Sequence, residues 1–152
     1  MWPLSYGNVY SVLSTPLDTD MLPLLNAIYS HFTANLTSAF PGGMHRDRAP
    51  EGTPMPYVVS RVISSQTQFA YGGGSRSLTR VRLSAFGVGH DATGGLAETL
   101  VGSFDSTLLT LESGTNDTVV REGDAVPVLH SHDSQGNDVW EWSVVYEYGV
   151  AE

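Results

Sequence analysis

The sequence predicts an α+β domain: two helices packed on one face of a four-stranded, mostly antiparallel sheet, with an N-terminal arm in front. Three observations predict it. Residues 20–39 and 93–109 repeat apolar side chains every three or four positions. Two pairs of β-branched and aromatic runs are each joined by a glycine-containing polar turn. The closing run sets Trp140, Trp142, Val144, Tyr146 and Tyr148 in alternation with Glu141, Ser143, Val145 and Glu147. Alternation this regular marks a half-buried antiparallel strand. The expected order is helix, strand, strand, helix, strand, strand, with residues 1–19 as the arm and 20–152 as one domain.

Residues 1–19 show no period and read as an arm or irregular lead-in. In 20–39, Leu22, Leu25, Ile28, Phe32 and Leu36 form one stripe. Asp18 or Asp20 can cap this helix, and Pro41-Gly42-Gly43 stops it. Residues 44–56 hold three prolines and read as a loop with room for a short strand near Met44-His45-Arg46. Tyr57 to Gln68 and Arg76 to Phe86 make the first hairpin, with a glycine-rich tip from Phe69 to Ser75. In its second strand Thr79, Val81, Leu83 and Ala85 mark one face, and Arg80, Arg82 and Ser84 the other. The second helix carries Leu96, Leu100, Phe104 and Leu108, with Asp91 or Thr93 as cap. Val126 to His132 and Val139 to Val150 make the second hairpin. The outer sheet face then carries Arg80, Arg82, Glu141 and Glu147, where charges on neighbouring strands can pair.

Composition narrows the function. The net charge is −9, and all seven basic residues are arginine. Affinity for nucleic acid comes mainly from basic groups neutralising phosphates, so wrapping DNA is not expected. Such a surface suits DNA that must slide past. With no cysteine, disulfides, thiolate metal sites and cysteine nucleophiles are excluded. Met1 to Tyr6 lacks the basic start of a secretory leader, and no apolar run approaches the roughly 20 residues that span a bilayer.

No catalytic pattern stands out, and the expectation is no enzyme and no cofactor. His130 and His132 share a strand face and could seed a zinc site with His45, His90 or Asp133. Two histidines at a wet hairpin end are the favoured reading. Gly72-Gly73-Gly74-Ser75 is followed by a strand, whereas phosphate loops lead into a helix. No Gly-x-Ser-x-Gly elbow occurs. Asp47 and Glu51 sit among Arg46 and Arg48 and read as a solvated charge cluster. The closing aromatic stripe reads as core rather than a ligand platform.

One stretch is more specific. Ala49-Pro50-Glu51-Gly52-Thr53-Pro54-Met55-Pro56-Tyr57-Val58-Val59 resembles the signature of phage tail-completion proteins, also called tail-terminator or tail-to-head joining proteins. The family's other elements have similar counterparts in order: the leucine-rich helix 20–39, the strand Arg80 to Phe86, the helix Leu96 to Leu109, and the aromatic strand Trp140 to Tyr148. Pro41-Gly42-Gly43 stands where family members run into a short strand, and the arm has no family counterpart.

The resemblance implies a virion subunit that forms a ring, usually a hexamer. It would cap the tail tube and join it to the head connector, with DNA passing through unbound. Its partners would be copies of itself, the tail-tube protein and the connector, with no membrane. It would be assembled in the host cytoplasm. Two other readings are a connector component on the portal side, and a small metal- or ligand-binding module using His130 and His132. Interface residues are expected at the glycine tip, Tyr71, Gly72, Gly73, Gly74 and Arg76, and in the charged loop, His45, Arg46, Arg48 and Glu51.

Overall fold

A computed structural model describes residues 21–69 and 74–151. The arm expected over 1–19, its capping aspartates, and Tyr71 to Gly73 of the glycine tip lie outside the described residues. The chain forms helix α1 (21–35), strands β1 (Met44–Arg46), β2 (Tyr57–Phe69) and β3 (Ser75–Val88), helix α2 (His90–Phe104), then β4 (Thr115–Arg121), β5 (Val126–His132) and β6 (Asp138–Ala151). The sheet runs β1-β2-β3-β6-β4, and β5 also pairs with β6. Only β1 and β2 are parallel.

The α+β class and the two helices are as predicted; the strand count is not. The described residues form six strands, and the order gains one before the first hairpin and one before the second. The short strand near Met44 does form. Gly43 turns the chain at φ 79°, and its carbonyl accepts the Val58 amide at 2.9 Å, which aligns Met44–Arg46 beside β2.

β4 carries Thr115-Asn116-Asp117-Thr118, a composition poor in strand formers. It pairs because buried Asn116 replaces backbone partners across a register shift. Its carboxamide accepts the Leu109 amide at 2.8 Å and donates to the carbonyls of Thr118 and Gly149 at 2.8 and 2.9 Å.

β4 and β5 lie end to end along the same edge of β6. Arg121 faces Tyr146 and Val126 faces Ser143, so residues 122–125 bulge opposite Val144 and Val145.

Both helices cover one face of the sheet. Leu24, Ala27, Ile28 and Phe32 of α1 join Ala97, Leu100 and Phe104 of α2 over Val58, Val81, Leu83, Val144, Tyr146 and Tyr148. Fully burying a large apolar side chain stabilises by roughly 1.5–3 kcal/mol, which makes this face the main source of stability. His31 ties the helices together through Ser103, at 2.9 Å, and packs on Phe104. Of the closing stripe of β6, Val144, Tyr146 and Tyr148 are core as expected; Trp142 packs at the margin, and Trp140 is only partly buried, edge-on to His90.

Details of both helices differ from the periodic reading. Leu24, not Leu22, faces inward in α1. α2 stops at Phe104, and the left-handed turn at Ser106, φ 54°, leaves Leu108 exposed. Neither Asp91 nor Thr93 caps α2. Gly89 holds that position and its amide bonds the Asp138 carbonyl, while Thr93 is buried against Gly87.

Candidate functional site

The helices leave the second face of the sheet open. Register places Tyr57, Val59 and Arg61 of β2 beside Phe86, Ser84 and Arg82 of β3, and these beside Glu141, Ser143 and Val145 of β6. The open face has two unlike halves.

In the half nearest β4, arginines are clasped by carboxylates. Arg76 bonds Asp117 at 2.8 Å and the Thr118 hydroxyl at 2.7 Å. This clasp passes over Gly149, where a Cβ would lie 2.7 Å from Asp117 Oδ1. Arg80 grips both oxygens of Glu122, at 2.6 and 3.0 Å. Glu147 sits directly opposite Arg80 in the register, yet the guanidinium reaches past it to the neighbouring edge. On the helix-covered side, opposite Tyr146, Arg121 donates to Asp105 at 2.9 Å, Asp124 at 3.0 Å and the Gly123 carbonyl at 2.7 Å, which fastens the bulge. The Arg76 hydrogen bonds hold the Asp117 carboxyl below its ordinary pKa.

In the half nearest β2, the pattern reverses. Arg61 and Arg82 are direct cross-strand partners, a like-charge pair. With Arg48 they line a cleft of about 350 Å³ whose apolar wall is the Tyr57–Phe86 stack, centroids 5.0 Å apart at 13°. Arg61 donates to the Asp47 backbone carbonyl at 2.8 Å. Among the described residues no carboxylate forms an ion pair with Arg48, Arg61 or Arg82. Burial, and the nearby charge of Glu141, raise the pKa of the Tyr57 hydroxyl.

The expected charged loop does not act as one patch. Arg48 faces the cleft. Glu51 lines a wider groove with His130 and His132. Arg46 bonds Asn26 at 2.6 Å and borders a different groove beside Leu22 and Leu25. His45 donates to the Gly42 carbonyl at 2.8 Å, so it serves its own turn. At the glycine tip Gly74 is exposed, while Arg76 is committed to Asp117 within the chain.

The two histidines also separate in role. His130 stands edge-on to Phe86 at 5.1 Å, and His132 lies 2.8 Å from Asp138. Among the described residues no three histidine or acidic side chains converge as a metal site would require. No helix described is long and apolar enough to cross a membrane.

The sheet's margins complete the candidate site. β1 covers only Val58 to Ser60 of β2, so the strand continues past it from Arg61 to Phe69 with no further strand alongside among the described residues. Phe69, at its end, is 85% exposed. The opposite margin is the broken β4–β5 edge. It presents Val120, Val126, Val128 and Leu129, each about half exposed or more. Sequence reasoning missed this apolar margin. The strand Val126–His132 is legible in the sequence, but nothing local indicates that it lies at an edge.

The fold is therefore an α+β domain with one covered sheet face, one open face and two dissimilar edges. No family model and no curated protein matches the sequence. Among solved structures, one similar chain belongs to the virion of a native gene transfer agent particle. It superposes with a TM-score of 0.63 at 18% identity, covering 86% of this chain and 96% of that one. At that identity the likeness is one of fold.

Proposed function

We propose that this protein is a structural virion subunit that closes into a ring with copies of itself, caps a phage tail tube and joins it to the head connector. It catalyses nothing in this role. The observation that carries the reading is the fold likeness to a gene transfer agent virion chain, which spans nearly the whole of both chains. The proline-rich signature from Ala49 to Val59 supports the same class.

The two edges supply a physical route to a ring. The β2 overhang offers a backbone edge with no strand alongside among the described residues, and the β4–β5 margin offers apolar side chains. Both are templates for association. Because the surfaces are unlike, copies join head to tail, and a rotation that closes satisfies every subunit. A ring of six is the number the family resemblance implies. At −9 per subunit its channel would repel DNA rather than bind it.

Sedimentation velocity and negative-stain microscopy of the full chain, alone and with tail tubes, test this. Hexameric rings seated on tube ends are the expected result. A strict monomer that never associates with tubes would sink the reading. Rings found only on the portal side would move it to the connector.

A further inference from the structure

Three arginines of this acidic chain are brought together without an ion pair to any carboxylate among the described residues. Arg61 and Arg82 face each other across β2 and β3, and Arg48 comes to the same cleft from the loop after β1. Elsewhere on this face Arg76 and Arg80 each hold a carboxylate at 2.8 Å or less. Like charges directly opposite on neighbouring strands destabilise a sheet. A chain with sixteen acidic residues and seven basic ones had ample means to neutralise the pair.

The cleft around it is built for a polypeptide guest. Beside the guanidinium groups stands the flat Tyr57–Phe86 stack, closed at the far end by His130 edge-on to Phe86. Ser84, bonded to Ser143 at 2.9 Å, also lines the cleft.

We propose that this cleft docks an acidic, extended segment of a partner polypeptide. One carboxylate lies between Arg61 and Arg82, where guanidinium forks bind it bidentately. An adjacent apolar side chain lies on the Tyr57–Phe86 stack. Charge selects this guest over nucleic acid. Asp47 and Glu141 border the cleft, so a continuous phosphate backbone meets repulsion on either side, whereas a single carboxylate does not. The inference deepens the assembly reading by giving the chemistry of a partner. It does not depend on ring closure, so the two can fail separately.

The test is an NMR titration of the full-length chain, following the arginine side-chain Nε–H resonances. The probes are blocked tetraglutamate, blocked tetraglutamine and tetrathymidylate. Tetraglutamate is expected to shift Arg61 and Arg82 saturably, with Arg76 unmoved and tetraglutamine without effect. R82Q is expected to weaken binding roughly tenfold, about the value of one charge-assisted hydrogen bond. R76Q should leave it unchanged. Backbone amide spectra establish that each variant is folded. Absence of shifts at Arg61 and Arg82, or an equal response to tetraglutamine, overturns the proposal. Tighter binding of tetrathymidylate also overturns it and hands the cleft to nucleic acid.

Discussion

The two halves of the open sheet face spend the same residue type in opposite ways. Near β4, Arg76 and Arg80 each clamp a carboxylate of a neighbouring segment. There the guanidinium fork works as internal fastening for a strand whose first half, Thr115 to Thr118, is poor in strand formers. Near β2, Arg48, Arg61 and Arg82 share a cleft without carboxylate partners among the described residues. The backbone register brings Arg61 and Arg82 together whatever their side chains prefer. The lesson is that charge in this molecule is structural where the sheet is weakly made, and presented outward where the sheet is already secure over its core.

That contrast can be broken most forcefully at Gly149. The Arg76 clasp lies over the space its missing side chain leaves. G149V should displace the clasp and distort β4, costing about 3 kcal/mol in urea unfolding, the upper end for overpacking. An unchanged unfolding midpoint would mean that the clasp is not where β4 is held. Next comes Asn116, whose removal leaves buried backbone groups of Leu109, Thr118 and Gly149 without partners. N116A should cost about 2 kcal/mol by the same assay. It should also speed amide exchange in β4 well before β3.

The clasp itself should matter less, because it is partly exposed. R76Q is expected to lose no more than about 1 kcal/mol, shrinking further in high salt. Its pH signature is sharper. Asp117 is held below its ordinary 3.8, first by the Arg76 hydrogen bond. A carboxyl depressed in the folded state stabilises above its unfolded pKa and loses that contribution as pH falls through the folded value. The melting temperatures of wild type and R76Q should therefore differ by a constant amount above about pH 5 and converge as pH drops below 4. A difference that grew on acidification would reverse the assignment.

The smallest effect has the opposite sign. R61Q removes one member of the Arg61–Arg82 pair and should raise stability by a few tenths of a kcal/mol in thermal melts at low salt. A clear fall in melting temperature would show that the bond from Arg61 to the Asp47 carbonyl outweighs the repulsion, and that this half too is internal fastening.

Much of this molecule is local and so was legible in one dimension. Helix and strand periods depend on residues a few positions apart, and they located both helices, β2, β3, β5 and β6 to within a few residues. The alternation in β6 and in Thr79–Ala85 even fixed which side chains face the core. Thus Arg82 was on the outer face before any pairing was known. Tertiary structure decided what depends on partners distant in the chain. Thr115–Arg121 became a strand only because β6 and the Asn116 side chain supplied its hydrogen bonds. Arg76 was claimed by Asp117, forty-one positions away. Arg61 met Arg82 only through the hairpin register and its bulge between Val62 and Ser64. Periodicity says which way a side chain points; only the closed sheet says what it meets there.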